Sequence, residues 1–593
     1  MVRISHNSRK LLTIVLFSTI AFALIAFFVI KAFKVEAQTP DQESITTSVT
    51  VGNSPPSWTP TGVAPKEATA STDTNPTTAG SSITFNVTAH DANGESYHLI
   101  VCPTDDPVTK GTAGGPPSCS SGTAYCYTTD AVASGSQASC SYTTKTTAPL
   151  DPFTNNWYAT VCDTNTSSEC SAPSPGTATD GTQSPFYVNH HPTFTSVSND
   201  SPVDPGGVVE WTTQTTSDID PSSTVKLLVC KSPTEPTNGA CAGGDSGKWC
   251  ESSAVTSNPS CTYSVPPVIS EGTNNAYAFV VDNFNLLAST TPKNSHFTVR
   301  NVAPVVSAVT FNSGNAINLA ENTTTPITVK ATVTDNNGCG KISNVYAYAY
   351  RSGKGYSLCD TTGEANNNFC YPQISCNVDA GTCSGASDAA ANYTCTINFQ
   401  YYADATASTS GTIQFPTENW LATVKAIDNG NNTHNLEVTS GVEMNALIAF
   451  NITPKSINYG TLNVGGKNEK LDRVLTTTPT GNVGLDQEHQ GIPKMCTNYH
   501  ATTNPLCATV SGTQIDVTKQ KYALAASTNY ADGTSLTSSK VEVEINIPKV
   551  TTGTPTTKST YWGIEIPPNT LPGEYKGMNT IYAKIAELAD WSQ

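Results

Sequence analysis

"NNWYATVCD", Asn155 to Asp163, is the stretch on which the reading of this chain turns. It returns as "NNAYAFVVD" at Asn274 to Asp282 and, more faintly, as "ENWLATVKAID" at Glu418 to Asp428. Each copy reads as a half-buried strand that ends on an Asp-rich turn. After each comes an apolar run and then Asn-x-x-Pro: "FYVNHHP" ends at Pro192, "FTVRNVAP" at Pro304 and "IAFNITP" at Pro454. Proline fixes φ and restricts the residue before it, so the Asn-x-x-Pro element reads as a short stiff connector. The repeated segment is then the penultimate strand of a domain. The copies start 119 and 144 residues apart, about one domain each.

Other stretches agree. "SITFNVTA" sets Ile83, Phe85, Val87 and Ala89 against small polar residues, and "VVEWTTQT" does the same with Val209 and Trp211. Alternation with period two is the signature of a strand with one buried face. We therefore expect an all-β chain cut as follows: 1–37 a signal peptide or N-terminal membrane anchor, 38–77 a Thr/Ser/Pro-rich linker, then β-sandwiches at 78–190, 191–302, 303–452 and 453–593, the third with a Cys-rich insertion.

Composition narrows the class. The 593 residues exceed what one core supports. Charged residues make up only 13%, and Ser, Thr, Asn and Gly fill the remainder, which suits strands and turns rather than helices. Net charge is −17; the first 37 residues carry +4, so the body carries −21. Such a body lacks the electrostatic footprint for phosphate backbones, and no nucleic-acid partner is expected. Arg3, Arg9 and Lys10 precede the twenty uncharged residues Leu11–Ile30, long enough for an apolar membrane-spanning helix, while Val35-Glu36-Ala37 offers a signal-peptidase site. Anchor and cleaved signal both stay open, and both place the body outside the cytoplasm, at the cell surface or secreted.

The 18 cysteines fall as six, four, six and two across the four domains. In an oxidising compartment even counts read as disulfides closed within each domain. Cys102, Cys119, Cys126 and Cys140 match Cys230, Cys241, Cys250 and Cys261. Four cysteines allow three connectivities; we expect the sequential one, since "YCY…SCSY" and "WCES…SCTY" look like hairpin arms. Cys162 and Cys170 have no counterpart in the second domain and are expected to bond to each other, as are Cys496 and Cys507. The six in the third domain, Cys339, Cys359, Cys370, Cys376, Cys383 and Cys395, allow fifteen pairings and no choice is made among them.

"YATVCD", "YAFVVD" and "LATVKAID" resemble the late strand of bacterial immunoglobulin-like, fibronectin-type and cadherin-like repeats, and "VRNVAP" around Asn301 is similar to junctions in such tandem repeats. The resemblance covers about Thr78 to Asn451. "INYGTLNVGG" and "LPGEYKGMNTIYAKIAE" look like the terminal β-sandwich of many prokaryotic surface proteins. The resemblance implies tandem Ig-like sandwiches on an exported stalk or adhesin, with an unknown surface glycan or protein as partner, and no particular activity.

Chemistry is sparse. "GGDSGKWC" at Gly243–Cys250 and "TAHD" at Thr88–Asp91 resemble the serine and histidine segments of trypsin-like proteases, but Lys248 replaces a glycine and His90 and Ser246 fall in different domains. The nine His include no His-x-x-x-His pair, and the Cys spacings are too wide for zinc, so no catalytic residue and no metal ligand is assigned. Asp335–Gly338, Asp428–Asn432, Asp218–Ser223 and Asp200–Asp204 cluster oxygen ligands that suit calcium, though turn chemistry explains them more simply. Tyr346, Tyr348 and Tyr350 share one face of "NVYAYAYR", either a contact surface or, the favoured reading, part of a core. The chain reads as a structural or adhesion protein rather than an enzyme. The rival is a secreted carbohydrate-active or proteolytic enzyme with accessory Ig-like domains, which requires two acids converging in one cleft.

Overall fold

The computed structural model describes residues 50–592, apart from 52–55, 59–60, 93, 166–168, 177–182, 361–364 and 408–411. The segment Leu11–Ile30 lies outside the described residues; among the described residues no helix is long and apolar enough to cross a membrane. The chain divides into two compact units, one ending at Val299 and the other holding Arg300–Gln593, with residues 204–206 and 266–271 assigned to the second.

The first unit holds two successive modules. In the first module Thr50–Val51, Val63–Glu67, Ser82–Thr88 and Gln137–Thr143 form one sheet, so the expected linker 38–77 instead supplies strands to this module, and Cys126–Tyr127, Tyr97–Cys102 and Tyr158–Asp163 form another sheet. One core joins them. Ile83, Phe85 and Val87 point in from the first sheet, while Leu99, Val101, Ala159 and Val161 do so from the second. Trp157 packs edge-on to Phe85 at 5.0 Å. The second module repeats the plan with Thr193–Asn199, Val208–Ser217 and Ser260–Ser264 against Lys248–Glu251, Val225–Cys230, Tyr277–Asp282 and Lys293–Asn294. Trp211 is fully buried and meets Phe297 at 5.5 Å.

The repeated segment takes the same place in every copy. Tyr158–Asp163 pairs antiparallel with Tyr97–Cys102, so that Cys102 faces Tyr158 and Tyr97 faces Asp163. Tyr277–Asp282 pairs with Val225–Cys230 in the same register, Cys230 facing Tyr277 and Val225 facing Asp282. In the second unit Trp420–Asp428 pairs with Ile342–Arg351, Arg351 facing Trp420 and Ile342 facing Asp428. Only the first copy carries a cysteine. The loop after it is closed by the Cys162–Cys170 disulfide, whereas the shorter loop after Asp282 is closed by the Phe284 and Leu286 amides, each donating to Asp282 Oδ1 at 2.8 Å.

The third module, in the second unit, is one seven-stranded sheet rather than two separate ones. Strand Cys370–Val378 changes partner along its length. Its start pairs with Ile342–Arg351 and its end with Ala390–Gln400, so the sheet folds over a core that includes Val329, Ile397, Val424 and Trp420. A bent strand that serves both layers is how a corner is turned in packed sheets. Phe450–Thr453 corrects one expectation. It does not close the third module but pairs with Arg473–Pro479 in the five-stranded sheet of the fourth. The third junction therefore lies before Phe450 and not at Asn451–Pro454. In the fourth module a three-stranded sheet, Val541–Ile547, Leu485–Gly491 and Asn579–Ile585, completes the β structure around Trp562 and Trp591.

All nine disulfides join cysteines of one module. Cys102–Cys119, Cys126–Cys140, Cys230–Cys241 and Cys250–Cys261 run in chain order, and Cys496–Cys507 closes a loop in the fourth module. Cys126–Cys140 and Cys250–Cys261 each tie one sheet to the other. The third module pairs Cys339–Cys383, Cys359–Cys370 and Cys376–Cys395.

Candidate functional site: latches at the module ends

Asp282 ends its strand pointing back toward the first module, and there it meets Asn189, the last residue of strand Phe186–Asn189. Asn189 Nδ2 donates to Asp282 Oδ2 at 2.6 Å. The next residue is held as well: the His190 amide donates to Asp220 Oδ2 at 2.7 Å, and His190 Nδ1 lies 2.7 Å from Asp220 Oδ1. His191 Nδ1 reaches the Leu287 carbonyl at 2.6 Å. Asn189, His190, Asp220 and Asp282 are all 6% exposed or less. Three consecutive residues are thus gripped by the module that follows, and the Asn189 and His190 bonds to carboxylates are shielded from water. Burial pushes the Asp282 carboxyl up from 3.8 to about 6, with the nearby Asp218 charge adding to it and the Asn189, Leu286 and Phe284 donors opposing it.

A related set of groups recurs within the second unit. Asn301 Nδ2 donates to Asp428 Oδ2 at 3.0 Å. Asn337 Oδ1 accepts from the Val302 amide at 2.7 Å, and its Nδ2 donates to the Arg300 carbonyl at 2.9 Å. Gly430 makes room for this: a Cβ there would stand 2.1 Å from Asn301 Nδ2. The third and fourth modules are joined differently. Lys549, 7% exposed, sits 3.1 Å from Asp404 and donates to the Tyr402 carbonyl at 2.8 Å and to Asn368 Oδ1 at 2.7 Å. Asp404 also takes Arg351 Nε at 3.0 Å, and Arg351 Nη1 pairs with Glu418 at 2.6 Å.

The other sequence candidates fall elsewhere. Tyr348 and Tyr350 are 1% and 0% exposed and Tyr346 is half-buried, packed with Tyr356, Phe369 and the Cys359–Cys370 bridge. They are core, which corrects the alternative of an exposed binding row. Ser246 Oγ donates to the Gly243 carbonyl at 2.8 Å in a short turn, and Asp245 pairs with Lys248, so "GDSG" is a loop. The Asp-rich stretches bond their own backbones: Asp218 Oδ1 takes the Asp220 amide, Asp335 Oδ1 the Asn337 amide and Asp428 Oδ1 the Asn432 amide, all at 2.8 Å. Among the described residues, three acidic side chains bring ligand atoms within 4.8 Å of one another at Asp91/Glu95/Asp163 and at Asp486/Glu542/Glu544, none of them in those four stretches. Clefts of about 480 and 860 Å³ lie in the fourth module; the first is lined by no carboxylate and the second by Glu574 alone. Neither offers the paired acids that glycoside hydrolysis uses.

Sequence reasoning missed Asp220 and the Arg351–Asp404–Lys549 cluster as partners. Nothing in "IPKV" marks Lys549 as buried.

No protein-family model matches the chain, and no curated protein matches it. Solved structures that resemble it include a marsupial T cell receptor (10% identity, 61% of this chain and 98% of that one, TM-score 0.25), the protocadherin gamma B2 extracellular cadherin domains 1–5 (10%, 86% and 77%, 0.24) and the full ectodomain, Ig1–Ig3, of mouse nectin-like molecule 4 (10%, 64% and 98%, 0.23). Likenesses this distant carry no argument of their own. The ladders, the cores and the inter-sheet disulfides by themselves describe a chain of disulfide-closed β-sandwich modules.

Proposed function

We infer that this chain is an exported cell-surface structural or adhesion protein whose modules act as fixed spacers. The observation that carries the reading is the Asn189–Asp282 and His190–Asp220 latch, which buries the Asn189 and His190 side chains against the next module. Free linkers between domains are exposed and polar, and relative motion is then the default; here the connector is part of a core. Nine internal disulfides support an oxidising destination, where they restrict the unfolded chain and resist reduction. The run Leu11–Ile30 would hold the chain to a membrane if it is retained, and the partner would be a surface glycan or protein. With the tyrosine row packed in the core, no contact face is assigned to it.

The test combines location and stiffness. Protease shaving of intact cells should release fragments of the full chain, and N-terminal sequencing of the mature protein decides between anchor and cleaved signal. Small-angle scattering of the full chain should show greater flexibility for Asn189→Ala/His190→Ala than for the parent. A chain recovered inside the cell with reduced thiols, or a double variant that scatters like the parent, refutes the reading.

A further inference from the structure

The outer face of the fourth module's three-stranded sheet carries an arrangement of acids that the spacer role does not use. Leu485 pairs with Ile547 and Gln487 with Val543, so Asp486 alone stands opposite a bulge of Glu544, Ile545 and Asn546. Asn546 takes the left-handed conformation, φ 50°, that lets the bulge turn over Asp486. Asp486 is 0% exposed. Its Oδ1 accepts the Asn546 amide at 2.7 Å, and the Asn546 side-chain nitrogen, in its better-satisfied orientation, reaches the same oxygen at 3.0 Å. Its Oδ2 is buried and has no partner. Beside it, ligand oxygens of Glu542 and Glu544 lie within 4.8 Å of that carboxylate and of each other, while Glu587 and Asp590 add negative charge from the end of the chain. The base on this face that touches the group is Lys584, ion-paired to Glu542, with its side chain 42% exposed.

A buried carboxylate oxygen without a donor is costly. Here its neighbours are further carboxylates, which repel it and push the Asp486 carboxyl up, on top of the larger effect of burial. Each oxygen of a Ca²⁺ shell lies at about 2.3–2.6 Å from the ion, so no two oxygens of one shell are more than about 5 Å apart, a limit that these three side chains meet, all being within 4.8 Å of one another. An all-oxygen donor set with no sulfur or imidazole suits a hard cation rather than zinc. A bulge tolerates the irregular geometry that Ca²⁺ accepts and Mg²⁺ does not.

We propose that Asp486, Glu542 and Glu544 form a calcium site in the fourth module, with Lys584 as the charge that the cation displaces. Lys584 is free to swing into solvent when the ion enters.

Calcium binding by the full mature chain, measured by titration calorimetry with calcium chloride after chelator treatment, tests this. Asp486→Asn keeps the Oδ1 acceptor for Asn546, and Glu544→Gln alters an exposed side chain, so both should fold; each should lose one equivalent of bound Ca²⁺ or weaken that site at least tenfold. Lys584→Gln should bind Ca²⁺ several-fold more tightly than the parent. Any calcium held elsewhere in the chain remains in all three variants and serves as the internal reference. A parent that binds no calcium, or variants whose stoichiometry and affinities match the parent, overturns the proposal.

Discussion

Replacing Asp282 with asparagine should stabilise the second module at neutral pH. The carboxyl is 3% exposed and titrates near 6 in the fold against 3.8 when exposed, burial being the main cause. A raised folded value means that the native state prefers the neutral acid. The stabilisation from protonation is then fully present below about pH 4 and is lost as pH rises through 6. At about 1.4 kcal/mol per tenfold, the difference between the two values amounts to about 3 kcal/mol by pH 8. The introduced amide would be neutral at every pH. Its oxygen keeps both backbone donors, Phe284 and Leu286. Its nitrogen replaces the oxygen that Asn189 now donates to, and Asn189 can answer by turning its own amide over, because its Oδ1 is buried without a partner. The swap therefore leaves no donor facing a donor.

The expected result is a variant as stable as the parent at pH 4 and up to about 3 kcal/mol more stable at pH 8, with a flat profile between. The assay is denaturant unfolding of the full chain at pH 4, 6 and 8 in EDTA, read locally by hydrogen exchange at Phe279–Asp282, since a multi-module chain need not unfold in one step. If Asp282→Asn is less stable than the parent at pH 8 and its profile runs parallel to the parent's, the carboxylate is held by compensating positive charge and the burial argument is wrong.

Three further outcomes follow from the same structure. Removing Cys339–Cys383, which spans 44 residues, should cost about 4 kcal/mol in the chain-entropy picture, and removing Cys162–Cys170, which spans 8, about 2.5; urea unfolding of the two double-alanine variants should keep that order. Lys549→Met should destabilise the second unit by about 3–5 kcal/mol by leaving Asp404 buried with one cation fewer, and Asp404→Asn in the same chain should recover much of it in a double-mutant cycle. Glu67, fully buried under Trp157, is pushed by burial from 4.5 to about 8, so its contribution is present below 4.5 and lost as pH rises through 8; Trp157 fluorescence should show the first module weakening from pH 6 to pH 9, and Glu67→Gln should flatten that trend.

Sequence periodicity found strands well where one face is dry. Ser82–Thr88 alternates buried residues with more exposed ones without a break, because small polar side chains on the outer face leave the inward Ile83, Phe85 and Val87 unmistakable. It failed where a strand serves two masters. Cys370–Val378 sends its first residues to one partner and its last to another, so its two cysteines close different bridges, and no spacing rule foretells that. Phe450–Thr453 failed for a related reason: the Asn-x-x-Pro sequence marks a junction by local stiffness, but which sheet takes the strand depends on the distant Arg473–Pro479. Alternation also could not say which face of "NVYAYAYR" was wet. The answer came from the Cys359–Cys370 loop, whose residues cover the tyrosines.

Loop capping gives the terminal Asp of the repeated segment a role in all three copies, and the latch adds a second role in two of them. A strand-terminal carboxylate can do two jobs: cap its own loop through backbone amides, and receive an amide donor from outside. Asp282 does both, with Phe284 and Leu286 on one oxygen and Asn189 on the other. Asp428 does both with Asn432 and Asn301. Asp163 caps its loop through the Asn165 and Glu169 amides, but its neighbours are the acids Asp91 and Glu95 rather than an asparagine. Asparagine suits the joint because its amide can present either a donor or an acceptor. The latch therefore survives protonation of the acid it holds, where a lysine in the same place would lose its partner's charge. A joint built this way stays closed whichever form the carboxyl takes.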